Sequence, residues 1–156
     1  MVAAQDLPPG FAAVLSGHIH RHQVLEQDLT GRPLTAPVLY PGSTERTSIA
    51  EKNEIKGVLT LKACPGHQGG RLDGWAFHPL PTRPMHVRDV DARELGPVGL
   101  EQTNRRILDG VPDDAVLRIR VLNHPRDAHA PPLSAARLRA LAPSTMNVDL
   151  RVLPPP

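Results

Sequence analysis

Phe11-Ala12-Ala13-Val14-Leu15-Ser16, running into Gly17-His18-Ile19-His20, is the stretch on which the reading of this chain turns. Six mostly apolar residues predict a buried strand, and the glycine after them predicts its end. Two imidazoles, one residue apart, then stand at the end of a sheet. Neutral imidazole is the commonest protein ligand for divalent transition metals. In extended backbone His18 and His20 point the same way, whereas a bend after Gly17 aims them at two different ions. Histidines at this spacing are also common on plain surfaces, so the pair alone is a weak signal.

Further strands are predicted outward from it. His22 to Glu26 and Val38 to Tyr40 flank the turn Thr30-Gly31-Arg32-Pro33, the spacing of an antiparallel sheet. Pro41-Gly42-Ser43-Thr44-Glu45-Arg46 comes next. Its proline fixes one φ and its glycine permits unusual ones, so the backbone can turn tightly and offer amides and hydroxyls to an anion. Arg46 is a candidate phosphate ligand oriented by Glu45; the plainer reading is a solvated turn with an ordinary surface ion pair. Lys56 to Ala63 reads as a half-buried strand. Leu72 to Leu80 reads as another, carrying Trp75 and Phe77. Cys64 to Gly70 between them reads as a flexible hairpin loop, with His67 solvated; His78 reads as half-exposed.

Pro79, Pro81 and Pro84 stiffen the chain and predict a linker over 81–84. Beyond it the periodicity changes. Met85 to Asp91 predicts a strand and Pro97 to Asp109 a helix closed by Gly110. Ala115 to Leu122 predicts a strand in which Leu117, Ile119 and Val121 alternate with Arg118 and Arg120. Asn123 to Pro132 reads as a loop. Ser134 caps a short helix, with Leu133 and Leu138 at the positions of a hydrophobic staple. Met146 to Val152 predicts the last strand, and Pro154-Pro155-Pro156 frays. The expected class is α+β, with a β-α-β-α-β unit over 85–156. Arg118 and Arg120, with Arg88 nearby, form a candidate DNA contact, although Asp149 and Arg151 on a neighbouring strand can neutralise the same face.

Composition sets outer bounds. Hydrophobic residues make up 40% of the 156 and aromatics 3%, so any core is aliphatic. Residues 1–80 carry seven basic and seven acidic side chains and residues 81–156 eleven and nine, for a net charge of +2. A bulk field for nucleic acid is thereby excluded, and any DNA contact rests on local placement. The one cysteine, Cys64, cannot form an internal disulfide, which suits a cytoplasmic location. No apolar run approaches a membrane helix.

Gly17-His18-Ile19-His20 and Pro41-Gly42-Ser43-Thr44-Glu45-Arg46, about twenty residues apart, resemble the calcineurin-like metallophosphoesterases, and within them the SbcD-type DNA repair exonucleases. Glu51-Lys52-Asn53-Glu54-Ile55-Lys56-Gly57-Val58 and Leu80-Pro81-Thr82-Arg83-Pro84 follow in the same order. The resemblance implies the C-terminal β-layer of a metallophosphoesterase sandwich over 1–80, incomplete in this chain, and a capping domain governing DNA access over 85–156. It implies His18 on one Mn²⁺ and His20 on the other, and Gly42, Ser43, Glu45 and Arg46 in a loop bordering the site. It also implies DNA, an SbcC-type coiled-coil ATPase and a homodimer as partners. The family's Asp-x-His, Gly-Asp-x-x-Asp and Gly-Asn-His motifs precede Gly-His-x-His, none of them stands ahead of Gly17 here, and neither Asp6 nor Glu26 replaces them. Two imidazoles alone bind weakly and prefer Cu²⁺, Ni²⁺ or Zn²⁺ to Mn²⁺. The expectation is part of a metal-dependent nuclease, inactive by itself, whether as fragment, split subunit or degraded gene product. The alternative is a non-catalytic DNA- or partner-binding module.

Overall fold

The computed structural model of the protein describes residues 7, 9–66, 69–94, 100–124 and 133–153. The fold class is α+β, and the chain divides into two compact units. The first comprises residues 1–46 and 53–82, and the second residues 47–52 and 83–156.

The first unit contains two sheets. Strands β1 (Val14–Leu15), β2 (Gln23–Gln27) and β3 (Pro33–Tyr40) form one, in the order β1-β3-β2. β1 runs parallel to β3, with Val14 opposite Val38 and Leu15 opposite Leu39. β2 runs antiparallel to β3, and their ladder is irregular between Leu25 and Gln27. Pro37 lies opposite that irregularity; it has no N–H to give to a ladder, which is why a proline in a central strand goes with a break in pairing. The β2–β3 turn is held by Asp28, whose Oδ1 accepts from the amides of Thr30 at 2.8 Å and Arg32 at 3.0 Å, while Gly31 takes a φ of +80°. Strands β4 (Gly57–Gly66) and β5 (Gly69–Pro79) form a separate antiparallel hairpin.

Three expectations for this unit are corrected. Only Val14–Leu15 of the Phe11–Ser16 run is strand, and the run is not buried: Phe11 is 58% and Leu15 60% exposed. Apolarity there comes without an opposing layer among the described residues. The loop expected over Cys64–Gly70 is largely strand, because Cys64, Pro65 and Gly66 pair with Arg71, Gly70 and Gly69; glycine and proline content suggested a loop where backbone pairing persists. β5 accordingly begins at Gly69 and not at Leu72. His67 lies outside the described residues.

The second unit is a three-stranded parallel sheet with two helices. β6 (Met85–Asp91), β7 (Val116–Leu122) and β8 (Asn147–Val152) lie in the order β6-β7-β8, connected through α1 (Leu100–Leu108) and α2 (Ala135–Leu141). Leu117, Ile119 and Val121 of β7 are buried with Ile107 of α1, Leu138 of α2 and Val148 of β8 in one cluster, so both helices cover the same face of the sheet. Ser134 caps α2, its hydroxyl accepting from the Arg137 amide, and Leu133 and Leu138 are both buried in the core. The start of the helix expected from Pro97, most of the Asn123–Pro132 loop, and the terminal prolines lie outside the described residues. Among the described residues no helix is long and apolar enough to cross a membrane.

The units differ in how they bury apolar groups. Among the described residues the second buries ten hydrophobic residues in its cluster, whereas in the first the buried hydrophobic residues are Ala36, Val38 and Leu39. Ile55, Val58, Leu61 and Trp75 of the first are exposed. Leu138→Ala should destabilise the second unit by about 3 kcal/mol, the cost of a buried leucine deletion, read as a lower urea midpoint. Limited proteolysis should degrade residues 11–80 before 83–153; preferential survival of the first unit would contradict this assignment of stability.

Candidate metal centre

Because β1 is parallel to β3 and β2 antiparallel, the end of β1, the end of β3 and the start of β2 share one edge of the sheet. Gly17-His18-Ile19-His20 leaves β1 there, and Pro41-Gly42-Ser43 leaves β3 beside it. The carboxyl end of parallel strands is where open sheets commonly hold ligands. The loop from Gly17 to His22 passes from β1 to β2 across the end of the intervening β3.

The loop's backbone is unusual. His18 has a φ of +69°, and the Ile19 amide donates to the Gly17 carbonyl at 2.8 Å. That is a γ-turn centred on a non-glycine residue in the left-handed region, a rare and strained arrangement that costs on the order of 1–3 kcal/mol. Extended geometry, in which His18 and His20 project alike, is thereby abolished. Both side chains are exposed.

His20 is fixed through its peptide. Its carbonyl accepts from the Ser43 amide at 3.1 Å and from the Lys56 ammonium at 2.8 Å. Gly42 has a φ of +82°, and a Cβ on it would lie 2.8 Å from both the His20 carbonyl oxygen and the His22 nitrogen. A side chain at 42 is therefore excluded twice, by conformation and by space. Ser43 turns its hydroxyl back to the Glu45 carbonyl at 2.7 Å.

Lys56 has no exposed side-chain surface. Its second acceptor is Glu54 Oε2 at 2.9 Å, and Glu54 Oε1 accepts from Arg21 Nε at 3.1 Å. The hydrogen bond from Lys56, reinforced by that from Arg21, outweighs desolvation and holds the Glu54 carboxyl below its ordinary value. Arg46 places Nε and Nη2 on the Glu54 carbonyl at 3.1 and 3.0 Å, while Glu45 accepts from the Arg46 amide at 2.8 Å. This geometry favours the structural reading of Gly42, Ser43, Glu45 and Arg46: the loop braces the histidines.

His22 joins the site although its sequence position carries no such signal. Its Nδ1 lies 2.9 Å from the Tyr40 carbonyl, which can only accept, so Nδ1 is the donor of that bond. The ring stacks on Phe77 at 4.1 Å and meets Trp75 edge-on. Periodicity revealed neither this stack nor the burial of Lys56, because both depend on the hairpin's placement.

Arg118 and Arg120 lie in the second unit on one face of β7. Arg118 pairs with Asp149 at 2.8 Å, and Arg120 pairs with Asp89 through two bonds of 2.6 Å. Arg88 stands in register with Ile119, on the helix-covered face, so it does not extend their row. Among the described residues no group of three or more His, Cys, Asp or Glu is arranged to hold a metal ion.

Neither a protein-family model nor a curated protein matches this sequence.

A carboxylate whose folded value is depressed contributes stability that is complete above its unfolded value, 4.5 for Glu54, and is lost as pH falls through the folded value. The thermal stability of the first unit should therefore fall on acidification below that point. Glu54→Gln should lower stability near neutral pH and flatten the acid limb; an unchanged limb would remove Glu54 from the account.

Proposed function

We propose that this chain contributes His18 and His20 to a two-metal phosphodiesterase site that hydrolyses DNA, with the remaining ligands coming from outside its described residues. The observation that carries the reading is the strained, braced loop. A γ-turn at His18 persists only because Ser43, Lys56 and Gly42 over-determine the neighbouring peptide, and strain of this kind concentrates where side chains must be aimed. Two exposed imidazoles on a fixed backbone fit part of a metal-ligand set and cannot be the whole of one. Metal ions in such a site activate water and stabilise charge on the phosphate. The chain's own contribution is positional: Lys56 and Ser43 hold the His20 peptide, Glu54 holds Lys56 while its own carbonyl is gripped by Arg46, and His22 closes the loop against Phe77.

A reading as a DNA-binding module resting on Arg118 and Arg120 has less support, since both guanidinium groups are taken by aspartates. The likeness to SbcD-type nucleases supports the metal-site reading through the same residues that brace the loop.

The test is nucleotide release from linear DNA with and without Mn²⁺. The chain alone should release none; mixed with a polypeptide bearing the Asp-x-His, Gly-Asp-x-x-Asp and Gly-Asn-His motifs, it should restore release. His18→Ala or His20→Ala should then reduce turnover by two orders of magnitude or more, about 3 kcal/mol of barrier. Restored release that survives both substitutions would refute the proposal.

A further inference from the structure

The second unit contains a cavity of about 290 Å³ between the edge strand β6 and helix α1. Its floor includes Val90 and Ile107, which pack in the unit's core. Its rim is cationic: Arg88 comes from β6, and Thr103 and Arg106, three positions apart on one helical face, come from α1.

Two carboxylates also border the cavity, and both are engaged. Asp89 is held by Arg120 as described above. Asp91 accepts from Arg93 Nη2 at 2.6 Å and from Asn123 Nδ2 at 2.9 Å. The hydrogen bonds from Arg120 and Arg93 hold these two carboxyls below the usual carboxylate range, as expected of committed ion pairs. Among the described residues Arg88 and Arg106 have no hydrogen-bond or ion-pair partner. Four arginines thus surround two aspartates, and the excess of two positive charges rests on the two that face the cavity.

We propose that this cavity binds a small dianionic phosphomonoester, with Arg88 and Arg106 as its guanidinium ligands and Thr103 as a hydroxyl donor. Guanidinium groups present paired N–H donors that match phosphate oxygens. A dianion cancels the local excess, which a monoanionic phosphodiester or carboxylate does only by half. The apolar floor receives the group esterified to the phosphate. The cavity lies at the small end of ligand sites, which begin at about 300 Å³, a size suited to a sugar phosphate or a single nucleotide. None of its residues belongs to the first unit, so the inference stands apart from the metal centre.

Amide chemical-shift titration of the full chain tests it, with inorganic phosphate, ribose 5-phosphate and dimethyl phosphate as probes. The pH is held near 7.5, above the second pKa of a phosphomonoester, about 6. Inorganic phosphate and ribose 5-phosphate should both give saturable shifts at residues 88–91 and 103–107, and the diester should bind at least tenfold more weakly, about 1.4 kcal/mol. Arg88→Gln and Arg106→Gln should each weaken ribose 5-phosphate binding about tenfold without altering the circular dichroism spectrum. Asp89→Asn, which releases Arg120 from its pair, should tighten binding, and this keeps the proposal testable if a glutamine variant misfolds. Equal affinity for diester and monoester, absence of saturable shifts, or undiminished binding in both folded glutamine variants would overturn it.

Discussion

The first unit depends on one buried cation. An ammonium group without solvent is tolerated only when its donors are met, and removing an acceptor from such a group costs on the order of 3–5 kcal/mol. Lys56 meets its two named acceptors in places far apart in sequence, the Glu54 carboxylate and the His20 carbonyl. That requirement ties the start of the β4–β5 hairpin to the loop beyond β1. The next residue, Gly57, enforces the same closeness, because a Cβ there would lie 2.6 Å from Phe77 Cζ. Phe77 can therefore lie flat under His22. Polar satisfaction and one ring stack organise this unit more than apolar burial does, in contrast to the second unit, where β7 alternates buried aliphatics with surface arginines.

This difference explains what could be read from residues alone. The second unit obeys local rules: β6 runs from Met85 to Asp91, directly after the proline linker as expected, and Ser134 starts α2 as its cap chemistry implies. Arg118 and Arg120 were legible as neighbours on one face because strands have period two. Their partners were half legible. Asp149 sits on a strand whose alternation is plain, whereas Asp89 reaches Arg120 only through the parallel register of β6 with β7.

In the first unit the controlling contacts are non-local, and pattern failed accordingly. Lys56 reads from sequence as the head of a half-exposed strand, yet it is the most enclosed charged residue there. Phe11 and Leu15 read as core because they are apolar, but burial needs an opposing surface as well as apolarity. The candidate histidines were found through spacing and likeness; the γ-turn at His18 was not, since no spacing rule predicts a left-handed histidine. The bracing role of Arg46 was legible only as one of two readings, and its contact with the Glu54 carbonyl favours the structural one.

The division of the chain has a practical corollary in its connectivity. Residues 47–52 count with the second unit, while Arg46 and Asn53 on either side count with the first, so the polypeptide passes between units three times: after residue 46, after 52 and after 82. No single cleavage yields either unit whole. A truncation starting at Arg83 forfeits the short helical turn Ile49–Glu51 and with it Lys52, which lines a second hollow with Arg120. The reciprocal piece, ending at Thr82, keeps those six residues as a foreign insert. Excision would need two cuts and a rejoining of 46 to 53, a junction that the Arg46 side chain already spans by gripping the Glu54 carbonyl.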